Sequence, residues 1–359
     1  MSKKTVKIGD ITIGNNNKIA VQSMTNTLAS DARATAEQIN RLAAAGCDIV
    51  RFAVPDMAAA EAVKYIKENT DIPLVADIHF DYRLALRCME NGIDKIRINP
   101  GNIGGEDRAA AVAKMAREKN IPIRIGVNGG SLENGLFEEC GGSLAKAMVA
   151  SAKKHIEILN RYDFDDIVLS MKSSSVKVTV EAYRLAAETF DYPLHVGVTE
   201  AGTTEQGVVK SAIGIGALLL DGIGDTIRVS LTDDPVKEVE AAKLILKSLG
   251  LGGDCVEVVS CPTCGRTKIN LEALANEVEA KLAPLEDALL AKEYPSIKVA
   301  VMGCAVNGPG EAREADFGVA GGDGQGLLFA NGEIVRSAVP EDKLAEELLA
   351  LIRKRIFAQ

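Results

Sequence analysis

Residues 48–77, DIVRFAVPDMAAAEAVKYIKENTDIPLVAD, decide the fold. Asp48–Ala53 is a short β-branched run, the pattern of a strand buried on both faces. Asp56 stands where a helix N-cap belongs, and the alanine-rich run Asp56–Glu68 is amphipathic. Pro73–Asp77 returns to the strand pattern. The same alternation extends in both directions, from about Ile19 to Gly250. The strand candidates are Ile19–Ser23, Asp48–Ala53, Pro73–Asp77, Lys95–Ile98, Pro122–Val127, Ile167–Ser170, Pro193–Val198 and Thr226–Ser230, eight in all. Helix candidates such as Asp31–Ala45, Glu106–Lys119 and Val176–Phe190 separate them, and Gly46 and Gly92 fall where helix-ending glycines belong. Strict β/α alternation implies a parallel sheet with right-handed crossovers, and eight units at this length imply a (β/α)8 TIM barrel. An open doubly wound sheet is the weaker alternative, because no Gly-x-Gly-x-x-Gly turn follows the first strand.

After Gly250 the composition changes. Gly252-Gly253-Asp254 reads as a linker, followed by a strand (Val256–Val259), a cysteine loop and a helix (Asn270–Lys281). A second strand (Lys298–Val301) feeds a second cysteine loop, and a final helix starts at Glu341. The expected division is a barrel over 1–250 and a smaller α+β domain over 251–359.

Composition narrows the function. With 359 residues, 47% hydrophobic and 25% charged, the chain can build a sizeable core. A net charge of −9, no tryptophan and 4% aromatics argue against a general nucleic-acid binder. No secretory h-region opens the chain and the longest apolar run, Ile213–Leu220, cannot span a bilayer. Seven cysteines, an odd number without such a signal, read as reduced thiols and ligands, and the expected location is the cytoplasm.

In a TIM barrel the chemistry sits at the C-terminal ends of the strands. Arg51, Arg97, Arg124, Lys172 and Arg228 all fall there, with Asp77, His79, Asn99, Asn128, Glu200 and Ser230, while His195 lies on the seventh strand. Four arginines and a lysine at one mouth repel one another unless a polyanion neutralises them, and a diphosphate accepts bidentate guanidinium forks. Any one arginine could as well pair with a carboxylate. For the set the anion site is the better reading, since Asp77, Glu200 and Asp225 are the only acidic partners in view. His79 and His195 are each weak alone, as a lone histidine is often a structural donor. Glu200 carries more weight, because a carboxylate beside a phosphate site calls for a role in proton transfer or hydroxyl binding.

Cys261-Pro-Thr-Cys264-Gly lies about forty residues before Gly303-Cys304-Ala-Val-Asn-Gly-Pro-Gly-Glu311. Cys-x-x-Cys alone fits a zinc half-site, a redox pair or an iron–sulfur ligand pair. A third thiol in its own Gly/Pro-bounded loop favours a cluster, since thiolates are soft ligands and such loops let amides approach sulfur. A structural zinc site would want a fourth ligand, and no histidine follows His195. Cys255 is a weak fourth candidate, and Glu311, after a sharp turn, could reach an iron held by Cys304. Cys47, Cys88 and Cys140 read as small buried hydrophobes.

Together the segments VQSMTNT, ADIHFDYRLAL, KIRINPGNIG, IRIGVNGGSL, HVGVTEAG, SCPTCGRT and MGCAVNGPGEAREADFGVAGG closely resemble the bacterial 4-hydroxy-3-methylbut-2-enyl diphosphate synthases, over essentially the whole chain. The resemblance implies a TIM barrel and a C-terminal domain similar to the modules of sulfite and nitrite reductases. It implies a 4Fe–4S cluster on Cys261, Cys264 and Cys304, with Glu311 on the fourth iron. The implied substrate is 2-C-methyl-D-erythritol 2,4-cyclodiphosphate, gripped by Arg51, Arg97, Arg124, Lys172, Arg228 and Ser230 with Asn128 nearby, and Glu200 is the implied acidic residue. It further implies flavodoxin or ferredoxin as electron donor and a homodimer in which one subunit's cluster domain closes its partner's barrel. The rivals are another reductive iron–sulfur enzyme on the same scaffold and a non-enzymatic phosphate-binding barrel with structural zinc. A radical S-adenosylmethionine enzyme is disfavoured, because no Cys-x3-Cys-x2-Cys run opens the barrel.

Overall fold

The computed structural model describes residues 2–99, 105–130, 132–253, 256–290, 296–304, 310 and 313–357. Its contacts divide the chain into two compact units, Met1–Leu249 and Gly250–Gln359. No described helix is long and apolar enough to cross a membrane.

The first unit opens with a hairpin, β1 (Val6–Ile8) and β2 (Ile11–Ile13). Eight parallel strands follow: β3 (Ala20–Met24), β4 (Ile49–Ala53), β5 (Leu74–Asp77), β6 (Lys95–Ile98), β7 (Ile123–Asn128), β8 (Ile167–Lys172), β9 (His195–Val196) and β10 (Thr226–Ile227). Their order runs β8-β7-β6-β5-β4-β3-β10-β9, and a parallel bridge between Leu169 and Leu194 joins β8 to β9. The sheet is thus closed on itself, as the sequence implies. Helices α1 (Ala32–Ala44), α2 (Met57–Glu68), α3 (Tyr82–Glu90), α4 (Glu106–Lys119), α5 (Leu136–Glu139), α6 (Leu144–Asn160), α7 (Val176–Thr189), α8 (Thr204–Leu220) and α9 (Pro235–Ser248) connect the strands. Side chains cap many of them as expected: Asp56 accepts from Ala59 N and Ser175 from Val178 N. Gly46, at φ +92°, ends α1 in the left-handed conformation that a β-carbon would disfavour.

The hairpin was absent from the sequence expectations. Val6, Ile8 and Ile13 pack with Ala20, Ile49, Val75 and Val168, a separate apolar cluster at the N-terminal end of the barrel. It seals the end opposite the strand termini, so only the other end opens to ligand.

The second unit is a five-stranded sheet ordered β11 (Val256–Ser260), β12 (Ile297–Met302), β13 (Phe317–Gly321), β14 (Gln325–Ala330) and β15 (Glu333–Pro340). The first three strands are parallel and the last two join antiparallel. Helices α10 (Leu271–Leu290) and α11 (Leu344–Phe357) share one apolar cluster with the sheet. The sequence expectation ended α10 at Lys281, yet the helix continues through Pro284. Leu274, Val278, Leu282, Leu285 and Leu289 form one buried stripe across that proline, and this burial outweighs the one lost backbone bond. The last helix begins at Leu344, after a 3-10 turn at Glu341–Lys343, and not at Glu341 itself.

Truncating the plug tests its weight. Ile8 is fully buried, so Ile8→Ala is expected to destabilise the barrel by about 2–5 kcal/mol, read from denaturant unfolding. A change under about 0.5 kcal/mol would show that the hairpin merely rests against the barrel.

Candidate active site

Parallel register places the polar side chains at matching heights. Asp77 of β5 is opposite Arg97 of β6, and Arg97 is opposite Arg124 of β7. Asn128 stands opposite Lys172 at the ends of β7 and β8. At the open end these strands enclose a cavity of about 150 Å³. All four arginines and Lys172 line it, with Asp77, His79, Asn128 and Ser230, so nine expected residues meet in one place. Ser170 and Thr199 add two hydroxyls.

Glycines make the space. A β-carbon at Gly126 would stand 2.3 Å from Arg97 Nε, and one at Gly197 would stand 2.9 Å from Lys172 Nζ and 2.4 Å from the Arg228 carbonyl oxygen. Gly126 within β7 and Gly197 just after β9 therefore admit the cationic heads that a larger residue would expel.

Asp77 is the hub. Arg97 Nη1 donates to its Oδ1 at 3.0 Å, and Arg51 Nη1 lies 3.5 Å from Oδ2. Burial alone would raise this carboxyl, but Arg51, His79 and Arg97 hold it well below the usual carboxylate range. Arg228 pairs at 3.2 Å with Glu238 of α9, which also accepts from Ser23 Oγ at 2.9 Å and Leu231 N at 3.0 Å. Glu238 is a functional partner that sequence reasoning missed. Two carboxylates against four arginines and a lysine leave a surplus of positive charge.

That surplus is buried. Arg124 is 1% exposed, and its Nε and Nη1 donate to no described group, nor does Arg51 Nε. Burial pushes Arg51 down to about 10, against the pull of Asp77, while burial followed by Arg51 and Arg97 lowers Arg124 well below its ordinary value. Lys172 is lowered likewise by burial, then Arg228 and Arg124. An unclaimed buried donor costs about 1–3 kcal/mol, so a site of this kind is organised for an anion that claims them.

One expectation is corrected. Asp225 is not at the mouth: it precedes β10, where it accepts from Leu194 N and Ser2 Oγ, both at 2.7 Å. Among the described residues that line the cavity, Glu200 and Asn99 do not appear. Glu200 is exposed in the turn between β9 and α8 at φ +52°, a left-handed conformation that costs a non-glycine residue about 1–2 kcal/mol.

In the second unit Cys261 follows β11 and Cys304 follows β12, neighbouring parallel strands paired up to Ser260 and Val301. Both cysteine loops therefore leave the same sheet edge. Gly303 N donates to Cys261 Sγ at 3.2 Å, and Cys264 N donates to Thr267 Oγ1 at 3.1 Å. Hydrogen bonds from Arg266 hold the exposed Cys264 thiol below its ordinary value. All three cysteines are free. Among the described residues no three Cys, His, Asp or Glu side chains are drawn into a metal-sized shell. The donor set still fits an iron–sulfur group, being three free thiols on one edge with an amide aimed at sulfur. Glu311 and Cys255 lie outside the described residues.

Lys95, also missed from sequence, is fully buried inside the barrel, and its Nζ has no partner among the described residues. Burial, with Arg124 and Arg51, lowers it well below 10.5. Between that lowered value and pH 10.5 the unfolded chain binds a proton that the folded chain does not, so this group's contribution to stability rises with pH across that window. Lys95→Met is expected to stabilise the barrel by about 1–4 kcal/mol at pH 7, with the gain shrinking in melts repeated near pH 9.5. A destabilised variant at both pH values would mean that the amine is satisfied.

Comparison with known proteins agrees with the fold. Residues 3–243 match the model of the GcpE TIM-barrel domain, and residues 257–354 that of the GcpE protein C-terminal domain. A Ruminiclostridium cellulolyticum protein named 4-hydroxy-3-methylbut-2-en-1-yl diphosphate synthase (flavodoxin) is 57% identical, over 96% of each chain. A Fusobacterium nucleatum protein of the same name is 56% identical, over 97% of this chain and 96% of its own. Among solved structures, an N-acetylneuraminic acid synthetase from Leptospira borgpetersenii aligns with a TM-score of 0.50 at 14% identity, over 70% of this chain and 91% of its own, which speaks for the barrel fold alone. With both domain models matched in order and such relatives over nearly the whole length, the chain belongs to the GcpE family.

Proposed function

We propose that the chain reductively opens 2-C-methyl-D-erythritol 2,4-cyclodiphosphate to 4-hydroxy-3-methylbut-2-enyl diphosphate, releasing water. The relatives' shared name supports the reaction and favours flavodoxin over ferredoxin as its electron donor. The observation that carries the substrate reading is the buried guanidinium of Arg124, its donors unclaimed in a cavity ringed by cations.

The barrel side chains bind and polarise. Arg51, Arg97, Arg124, Lys172 and Arg228 take the diphosphate, with Asn128, Ser170 and Ser230 as neutral hydrogen-bonding partners. Their charges stabilise the negative charge that grows on the diphosphate as its ester bond to the ring carbon breaks. Asp77 holds Arg51 and Arg97 apart from each other and ready for phosphoryl oxygens. Glu200, beyond the cavity rim, is assigned to a substrate hydroxyl or its proton. Cys261, Cys264 and Cys304 would hold a 4Fe–4S cluster with Glu311 as exchangeable carboxylate, and such a cluster supplies single electrons and a Lewis-acidic iron.

A homodimer in the cytoplasm completes the proposal, one subunit's cluster domain serving the other's barrel. An exposed apolar stripe, Val209, Ile213 and Leu220 of α8 with Leu244 of α9, supports self-association of the barrel.

Anaerobic turnover by protein reconstituted with iron and sulfide, driven by a one-electron reductant, tests the reaction. Cluster-dependent product is expected; bound iron and sulfide without product would point to another reductive enzyme, and zinc in their place to a binding barrel. Arg124→Met is expected to weaken substrate binding about 10–100-fold, the loss of charged hydrogen bonds. Undiminished affinity would place the diphosphate elsewhere. Glu311→Ala should keep the cluster's absorption while losing most turnover, and full turnover would remove Glu311 from the mechanism.

A further inference from the structure

We propose that His195 is a positioning residue for the anion site: a neutral imidazole, protonated at Nδ1, that holds and aims the Lys172 ammonium. The inference rests on the reading of Lys172 as a diphosphate ligand.

With Lys172 held as an ammonium, the geometry selects the tautomer. Lys172 Nζ lies 3.2 Å from His195 Nε2, and Thr226 Oγ1 lies 2.8 Å from Nδ1. An ammonium can only donate, so Nε2 must accept. The remaining ring proton is then on Nδ1 and is given to the threonine hydroxyl, which can accept it. Thr226 is placed for this by register, since it is the direct partner of His195 across β9 and β10. Histidine and threonine are both fully buried.

A second ring proton has no place here. It would set an N–H against the lysine head in the buried interior. Burial, and then the basic groups bearing on the ring, Lys172 from β8, Arg124 from β7, Lys95 from β6 and Arg51 from β4, all disfavour a second positive charge there. Together they hold His195 far below its ordinary range, so it works as a fixed acceptor and not as an acid.

The surroundings brace the pair. The Tyr183 hydroxyl of α7 donates to the His195 carbonyl and accepts from Met171 N at 3.1 Å, so one phenol ties the neighbour of Lys172 to His195. Gly197 leaves the space beside Nζ. Lysine carries its charge on a flexible four-carbon stem, and Arg124 and Arg228 repel it. An acceptor behind it takes one N–H and leaves two for phosphoryl oxygens.

The test uses the full-length protein. Nitrogen NMR of labelled histidine, with three residues to assign, is expected to show His195 as the neutral Nδ1–H tautomer, unchanged between pH 6 and pH 8.5. An Nε2–H tautomer, or protonation within that range, overturns the proposal without any variant. Titration with inorganic pyrophosphate then separates function from folding. His195→Leu should weaken binding about tenfold, the size of one charge-assisted hydrogen bond, and His195→Gln, whose amide oxygen can accept from lysine, should recover most of that loss. Adding His195→Leu to Lys172→Met should cost nothing further, because the histidine acts through the lysine. If Lys172→Met binds weakly while His195→Leu binds like wild type, the positioning role is wrong. If Lys172→Met itself binds like wild type, the underlying assignment of Lys172 to the diphosphate falls, and the proposal with it.

Discussion

Confining guanidinium groups inside a barrel is the constraint on which the rest of this structure depends. A closed parallel barrel points alternate residues of every strand into a narrow, low-dielectric interior, where apolar packing is the usual filling. Here only the sealed end is apolar, built on Ala20, Ile49, Val75 and Val168 beneath the N-terminal hairpin. Above it Lys95, Arg124, His195 and Thr226 are buried, and above them stands the cationic mouth. Like charges so close together are held by the fold and not by one another. Asp77 and Glu238 relieve part of the repulsion, and what remains is a standing attraction for an anion.

This division explains the differing roles of the two carboxylates. Asp77 lies on the strand next to Arg97 and serves Arg51 as well, so it tunes the mouth from within. Glu238 approaches from outside, on α9, and binds Arg228, Ser23 and the Leu231 amide together. It therefore links β3, the segment after β10 and a helix behind them through one buried group. Breaking such a group leaves a charge unpaired in the interior, a cost larger than the net worth of the pair.

Much of this could be read from the residues, for identifiable reasons. The eight barrel strands announce themselves because both faces are buried and their residues are continuously apolar, while Asp and Ser caps mark the helices between them. Inward strand residues such as Arg97 and Arg124 stand out because charge in such runs is costly. The hairpin escaped because its strands are three residues long, although Gly9-Asp10 between Ile8 and Ile11 is a two-residue turn signal. Strands β13 to β15 escaped despite Asn331-Gly332, whose φ values of +49° and +77° are those of a tight hairpin turn. Glu238 could not be found at all by pattern. It reads as one more acidic residue in a first helical turn, and only the closed barrel brings it to Arg228.

Glycine, a residue with no side chain, finally decides what the cations can do. Gly126 within β7 and Gly197 after β9 bury no side chain and cost more backbone entropy than alanine. Each sits where a β-carbon would collide with a charged head, Arg97 in one case and Lys172 in the other. The barrel thus gives up packing at two inward positions to seat two cations that themselves oppose folding. Neither loss improves stability, and both point the same way. Were the site only a structural ion-pair network, larger residues at these glycines and fewer arginines would make a firmer barrel. Strain and charge kept together at the one open end of the fold are intelligible as the cost of holding donors ready for phosphoryl oxygens before they arrive.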